Sequence, residues 1–384
     1  MISCLSSLSD YIPYILYMAI MVFTSVVSYY LCNQFLSNSI NLFLAAGLKG
    51  KDYGRPDSPY IPEAAGVVCS AVYLCCLSVN LVIPYLVNYC YPLLNVESYF
   101  NLTSILAGSW SICSMCFLGF TDDVLNLRWR NKLILPLISS FPILLIYIIQ
   151  HGSTYTLVPF PFKLIFGSSL NLGFFFHVYI LMLTIFCTNS INILAGINGL
   201  EVGQSIVIAI SLILLAFIEI YIGNPNAYVI IFFLSPFLAV SFSLIKFNWF
   251  PASVFVGDTY CYFTGMTFAV CGILGHCSKT LLLLFIPQII NFVYSLPQLL
   301  KMLPCPRHRL PKYNAETELR EPSTFVVRVN TLHIFTCVIL GLMARLGLAK
   351  ITRGGLSTAH SAEVDNMTLL NLYLRIYGPT DEKS

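Results

Sequence analysis

Apolar residues recur along this chain in long runs separated by short polar stretches. Nine runs are long enough to cross a bilayer, near 12–33, 65–87, 102–120, 134–149, 173–189, 204–222, 227–245, 259–277 and 280–300. A hydrocarbon core of about 30 Å takes roughly 20 helical residues, and a backbone within it must satisfy its own polar groups, which a helix does. The pattern therefore predicts an all-α polytopic membrane protein with about nine transmembrane helices. The first run is too long and too poorly flanked for a cleaved signal peptide.

After residue 300 the pattern changes. A polar, Pro-containing stretch at 304–323 is followed by an expected strand at Phe325–Val329, an amphipathic helix near 331–346 and a short strand near Leu348–Thr352. The segment Leu332–Leu348 is apolar enough to tempt a tenth span, but it carries His333 and Arg345, and a charge at mid-bilayer costs a few kcal/mol. The expected division is a transmembrane bundle over 1–300 and a small mixed α/β cytosolic appendage over 301–384, with the residues after Pro379 frayed.

Alternating the loops between two sides separates the basic residues sharply. The loops at 34–64, 121–133, 190–203 and 246–258, with the tail, hold 18 Lys and Arg; the other side holds only Lys163 and Lys279. By the positive-inside rule these four loops and the tail are cytosolic and the N-terminus lies opposite. Composition agrees with the lipid bilayer as a partner, at 57% hydrophobic and 10% charged residues, where a soluble domain carries about 25% charge. A net charge of +3 is too small for a nucleic-acid footprint. The 14 Cys are scattered mostly through apolar runs, unlike a secreted disulfide framework. Cys113 and Cys116 have CxxC spacing inside such a run, which favours a core role over a redox or metal site.

The cytosolic loops carry more polar chemistry than anchoring needs. The first holds Lys51, Asp52, Arg55 and Glu63; the second Asp122, Asp123, Asn126, Arg128, Arg130 and Lys132; the third Asn189, Asn192, Asn198 and Glu201; the fourth Asn248, Gly257 and Asp258; the tail opens on Arg307-His308-Arg309. Adjacent carboxylates such as Asp122 and Asp123 need counter-charge. Mg²⁺ with a phosphorylated ligand would provide it, since Mg²⁺ binds through one or two carboxylates plus substrate phosphates. A solvated loop paired with Arg128 or Lys132 is the plainer reading. Asn192 and Asn198 can ligate a hard cation or read a nucleobase edge, or they belong to an Asn/Gly turn capping the next helix, with Glu201 in its first turn. Asp258 is either a helix cap or a metal ligand. Arg307 and Arg309 can grip phosphate oxygens in pairs, or bind anionic headgroups beside the membrane. Asn101-Leu102-Thr103 is a glycosylation sequon on the non-cytosolic side.

Four segments carry a resemblance. FLGFTDDVLNLRWR at 117–130, NSINILAGINGLE at 189–201, VFVGDT at 254–259 and PCPRHR at 304–309 together resemble the eukaryotic UDP-N-acetylglucosamine:dolichyl-phosphate N-acetylglucosaminephosphotransferase family, the enzymes inhibited by tunicamycin. The likeness runs from about 50 to 313, with a weaker echo at 366–379; the first 48 residues match in hydropathy only. It implies transfer of GlcNAc-1-phosphate from UDP-GlcNAc to dolichyl phosphate, releasing UMP, at the cytosolic face of the endoplasmic reticulum in the first step of lipid-linked oligosaccharide synthesis. The matched Asn192 and Asp258 would be the Mg²⁺ ligands. Asn198 would read uracil and Phe255 stack on it, with Glu63 and the backbone near Tyr53 at the nucleoside end. Lys132 and Arg307 would hold phosphates, and Arg307, His308 and Arg309 would form the loop over the amino sugar. Asp122, Asp123 and Asn126 would line the place where the lipid phosphate attacks.

Members of that family carry a tenth span beyond the appendage, whereas this sequence closes at Ser384 without another apolar run. That points to a truncated chain or a divergent member, with the catalytic motifs intact and with packing, stability and homodimer formation put in doubt. Two rival readings remain at this level. A polytopic transporter of anionic metabolites would bury polar residues near mid-membrane beside broken helices. A bacterial-type relative acting on another sugar nucleotide or polyprenyl phosphate would share the Asp-Asp and Asn/Asp chemistry without the PCPRHR loop.

Overall fold

The computed structural model describes residues 2–90, 101–125, 127–128, 131–150, 154–158, 160, 163–306, 309–328, 332–353 and 361–382. In chain order the bundle comprises α1 (Ile2–Ala45), β1 (Lys49–Lys51), β2 (Tyr60–Pro62), α2 (Ala65–Cys90), α3 (Leu102–Leu125), α4 (Asn131–Ser139), α5 (Phe141–Gln150), β3 (Tyr155–Leu157), α6 (Lys163–Phe166), β4 (Ser169–Asn171), α7 (Phe174–Ile193), α8 (Leu200–Ile222), α9 (Ala227–Asn248), α10 (Gly257–Leu274), α11 (Ser278–Leu284) and α12 (Ile286–Leu299). The appendage adds β5 (Lys312–Asn314), β6 (Leu319–Glu321), β7 (Thr324–Arg328), α13 (Ile334–Arg345), β8 (Ile351–Arg353), β9 (Ser361–Asp365) and α14 (Leu369–Tyr377).

All nine apolar runs fold as helix. Among the described residues seven spans are long and apolar enough to cross a membrane, and the pair α11 and α12 makes an eighth. The remaining run, α10, carries Asp258 and three threonines, and its side chains from Thr259 to Leu274 are all buried. It packs against α2, α3 and α7, so its neighbours are protein and it does not need the apolarity of a lipid-facing span. At Gly265 a Cβ would overlap the Cys187 backbone of α7; the missing side chain lets the two helices touch, as small residues do at membrane helix contacts.

Two boundaries differ from the sequence reading. The loop expected from residue 34 opens only after Ala45, because α1 continues through Leu36, which is fully buried. The run at 280–300 bends by 67° at Phe285. Pro287 stands at the start of α12, where it contributes no N–H and its ring disfavours continuation of the preceding turn.

The appendage has the expected strand, helix and strand, with β9 between β7 and β8 in an antiparallel sheet. Phe325, Val327, Leu340, Met343, Ala362 and Val364 form its core, which reaches Tyr294 of α12. The expected fraying after Pro379 is not found up to residue 382. Thr380 bridges Arg320, and the Glu382 carboxylate is ion-paired with the Arg320 guanidinium, which gives this polar tail a fixed seat.

Candidate active site

The C-terminal ends of α3 and α7 and the N-terminal end of α10 meet in one polar centre. At the end of α3 the adjacent carboxylates point to different partners. Asp123 accepts the backbone N–H of Asp258 at 2.6 Å, that of Thr259 at 3.1 Å and the Thr259 hydroxyl at 2.5 Å. It therefore caps α10 from outside, satisfying N–H groups that a helix start leaves unpaired and placing negative charge at the positive end of the dipole. Gly257 makes this approach possible. Its φ is +73°, and a Cβ there would stand 2.6 Å from the Glu63 carbonyl and 2.8 Å from Asp123 Oδ2.

Asp122 is buried and accepts from the Leu127 N–H at 2.9 Å and the Tyr262 hydroxyl at 3.1 Å. Lys132 lies between Asp122 and Asp258, with Nζ 2.7 Å from one carboxylate and 3.1 Å from the other. This supplies counter-charge to Asp122 and Asp258, while Asp123 is held by the N–H and hydroxyl donors of α10. With its helix capped by Asp123, Asp258 keeps its own carboxylate for side-chain partners: Oδ2 faces Lys132 and Oδ1 meets the Asn192 amide at the end of α7.

A second centre lies on the loop between α7 and α8. Asn198 donates from Nδ2 to Asp52 at 3.5 Å, and its backbone N–H donates to Glu382 Oε1 at 2.8 Å. Asn248 holds the same loop by accepting the Gly199 N–H at 3.1 Å, and donates to the Val254 carbonyl at 2.9 Å. A cleft of about 400 Å³, lined by Gly54, Phe250, Tyr313, Arg320 and Glu382 among others, opens beside it. The hairpin of β1 and β2 closes the side: a Cβ at Gly50 would meet both the Phe255 ring and the Glu63 carboxylate. The Phe255 N–H donates to the Pro62 carbonyl at 2.7 Å, joining that hairpin to the VFVGDT segment. Tyr53 is half exposed, beside Lys51.

Arg309 is moored by its backbone, whose carbonyl accepts from Asn371 of α14 at 3.0 Å. Its Nη1 is buried without a hydrogen-bond partner among the described residues, and burial pushes the guanidinium pKa down. Both features suit a group waiting for an anion. The structure thus gathers Asp122, Asp123, Lys132, Asn192 and Asp258 at one point, Glu63 and Phe255 beside the hairpin, and Asn198 beside the cleft. Asn126, Arg307 and His308 lie outside the described residues.

Chain comparison places these motifs among known proteins. The sequence pattern described as Glycosyl transferase family 4 matches residues 105–276, which hold Asp122, Asp123, Lys132, Asn192, Asn198, Phe255 and Asp258. A relative named UDP-N-acetylglucosamine--dolichyl-phosphate N-acetylglucosaminephosphotransferase from Saccharomyces cerevisiae is 41% identical over 369 residues, covering 88% of this chain and 80% of the relative. The chain belongs to glycosyl transferase family 4. A Dictyostelium discoideum relative of this family member, bearing the same name, is 45% identical over 320 residues, covering 76% of this chain and 75% of its own length. A Borreliella afzelii protein named phospho-N-acetylmuramoyl-pentapeptide-transferase is 33% identical, but over 160 residues and 37% of this chain. The eukaryotic likeness takes in the appendage as well as the bundle; the bacterial one is confined to a shorter stretch.

In this glycosyl transferase family 4 chain, several supporting residues escaped the sequence reading. Tyr262 lies four residues after Asp258, one turn along α10, a spacing that could have flagged it. Gln204 donates to the Ile191 and Leu194 carbonyls and accepts from Gln288 at 2.7 Å, while Asn291 donates to the Ile193 carbonyl at 3.0 Å. These amides hold the end of α7, and so Asn192, in place. Glu382 carried no local signal at all.

The Asp258 carboxylate would suit a hard divalent cation completed by phosphate oxygens, and Asn192 would add its side-chain oxygen by turning the amide that now donates to Asp258 Oδ1. Among the described residues there is no cluster of three or more acidic, His or Cys ligands.

Proposed function

We propose that this protein transfers GlcNAc-1-phosphate from UDP-GlcNAc to dolichyl phosphate, giving GlcNAc-diphosphodolichol and UMP, on the cytosolic face of the endoplasmic reticulum membrane. The carrying observation is the meeting of Asn192 and Asp258, from two separate motifs, beside the Lys132 and Asp122 pair. The extent of the eukaryotic likeness supports this substrate pair over the bacterial one.

In this reading Asn198 reads the uracil and Phe255 stacks on it, with Glu63 and the backbone near Tyr53 at the nucleoside end. Asn192 and Asp258 would hold Mg²⁺, which supplies charge neutralisation on the diphosphate. Lys132 and Arg307 add positive charge where the transition state spreads negative charge over phosphoryl oxygens. The dolichyl phosphate oxygen attacks the phosphorus bonded to GlcNAc; the new P–O bond forms as the bond to UMP breaks. A phosphate monoester has a second pKa of about 6, so the nucleophile is already ionised at neutral pH and needs no strong base. Asp122 and Asp123 are committed to hydrogen bonds and to Lys132, and act by organising Asp258 and the acceptor's place of attack.

The test is UMP release by the purified full chain with Mg²⁺, UDP-GlcNAc and dolichyl phosphate. Inhibition by tunicamycin is expected. Release only with UDP-MurNAc-pentapeptide, or substrate flux across vesicles without UMP, would replace this reading.

A further inference from the structure

Helix α13 has two apolar faces and, among the described residues, packs one of them against the appendage sheet. Thr336, Leu340 and Met343 are buried against the appendage sheet. On the opposite side Ile334, Phe335, Val338, Leu342 and Leu346 are each more than half exposed. Positions 334, 338, 342 and 346 are four apart, so they line one stripe down the helix. Contiguous exposed apolar surface of this kind marks an interaction site.

Its height relative to the membrane identifies the occupant. The Tyr294 hydroxyl donates to the Leu348 carbonyl, just after α13, and the Ser295 hydroxyl to the Met367 carbonyl at 2.6 Å. Asn291 accepts the Leu369 N–H at 2.8 Å. At 1.5 Å rise per residue, Tyr294 and Asn291 lie about 8 and 12 Å before the C-terminal end of α12. The appendage is thus docked against the flank of a membrane helix and does not stand clear above it. On that helix Ile286, Ile290 and Val293 are exposed, the apolar surface that a membrane span turns to lipid. Exposed cationic or titratable side chains stand at both ends of the stripe, His333 before it, Arg345 in its last turn and Lys350 after it.

We propose that α13 lies in the plane of the cytosolic leaflet, with the stripe from Ile334 to Leu346 among the upper acyl chains and Arg345 and Lys350 at anionic headgroups. Amphipathic helices with basic borders bind bilayer surfaces in this way, and long basic side chains reach headgroups while their stems stay in apolar surroundings. The segment carrying Arg309, fixed to the same appendage, is then held at a constant distance from the bilayer.

The experiment places the photoreactive residue benzoylphenylalanine at Val338 or, separately, at Leu342 in the full chain, reconstituted in nanodiscs of phosphatidylcholine and phosphatidylserine. Thr317, in the exposed turn between β5 and β6, is the aqueous control. After irradiation, phospholipid adducts are expected as the main product at 338 and 342, at least tenfold above the yield at 317. Cross-links between two copies of the chain as the main product, or lipid yields at both positions no higher than at 317, overturn the proposal. Two independent positions keep the result readable if one variant folds poorly.

Discussion

The Glu382 carboxylate accepts the backbone N–H of Asn198 at 2.8 Å across 184 residues of sequence, while its other oxygen holds the buried Arg320 guanidinium. The loop expected to bind the nucleobase is therefore positioned by the polar tail of the chain. Hydrogen bonds to charged groups contribute about 1.5–3 kcal/mol, so Glu382→Ala should raise KM for UDP-GlcNAc about tenfold, with kcat changed far less. Steady-state kinetics of UMP release separates the two. Equal losses in both constants would mean that Glu382 serves stability alone.

The Asn192 and Asp258 pair gives a sharper expectation. Asp258→Ala and Asn192→Ala should each lower kcat by at least about a hundredfold, on the scale of losing a transition-state charge partner. Chelation of divalent ions should abolish UMP release and added Mg²⁺ restore it. Undiminished turnover in either variant removes that residue from the proposed cation site.

Lys132 is bonded to two carboxylates, one of them wholly buried. Lys132→Met leaves Asp122 without its counter-charge, a change that costs about 3 kcal/mol in buried pairs and less here because Lys132 is partly open to solvent. Thermal unfolding in detergent should show a lower Tm for Lys132→Met than for Lys132→Arg, which keeps the charge. Identical unfolding of the two variants would show that the pair carries no stability.

Gly257→Ala is expected to be more damaging than its size suggests. The position has φ +73°, and a methyl group there would press on the Glu63 carbonyl and the Asp123 carboxylate. A strained left-handed residue costs about 1–2 kcal/mol, to which the displaced Asp123 cap adds about 1 kcal/mol. Thermal melts should register this loss, and activity should fall with it, because Asp258 directly follows.

Much of this was legible in the chain itself. The apolar runs gave the bundle because a bilayer imposes length and composition on every span, and three motifs marked Asp122, Asn192, Asn198 and Asp258, with Lys132 two residues beyond the first. Periodicity could not give the bend at Phe285, since hydropathy is continuous across it and only Pro287 hints at a break. Tyr262 and Gln204 were hidden because a buried hydroxyl or amide in an apolar helix has no signature until its partner is known. Glu382 reads as one more charge in a polar tail; its importance comes from Arg320 and Asn198, which folding brings to it from elsewhere.

The outside cap on α10 has a mechanical consequence. Because Asp123 grips the first turn of a neighbouring helix, α3 cannot slide or rotate by a residue without dragging the Asp258 backbone along. Asp122, its immediate neighbour, must travel with it. The two halves of the polar centre are therefore geared together, and a change of bilayer thickness that tilts α3 shifts both in step.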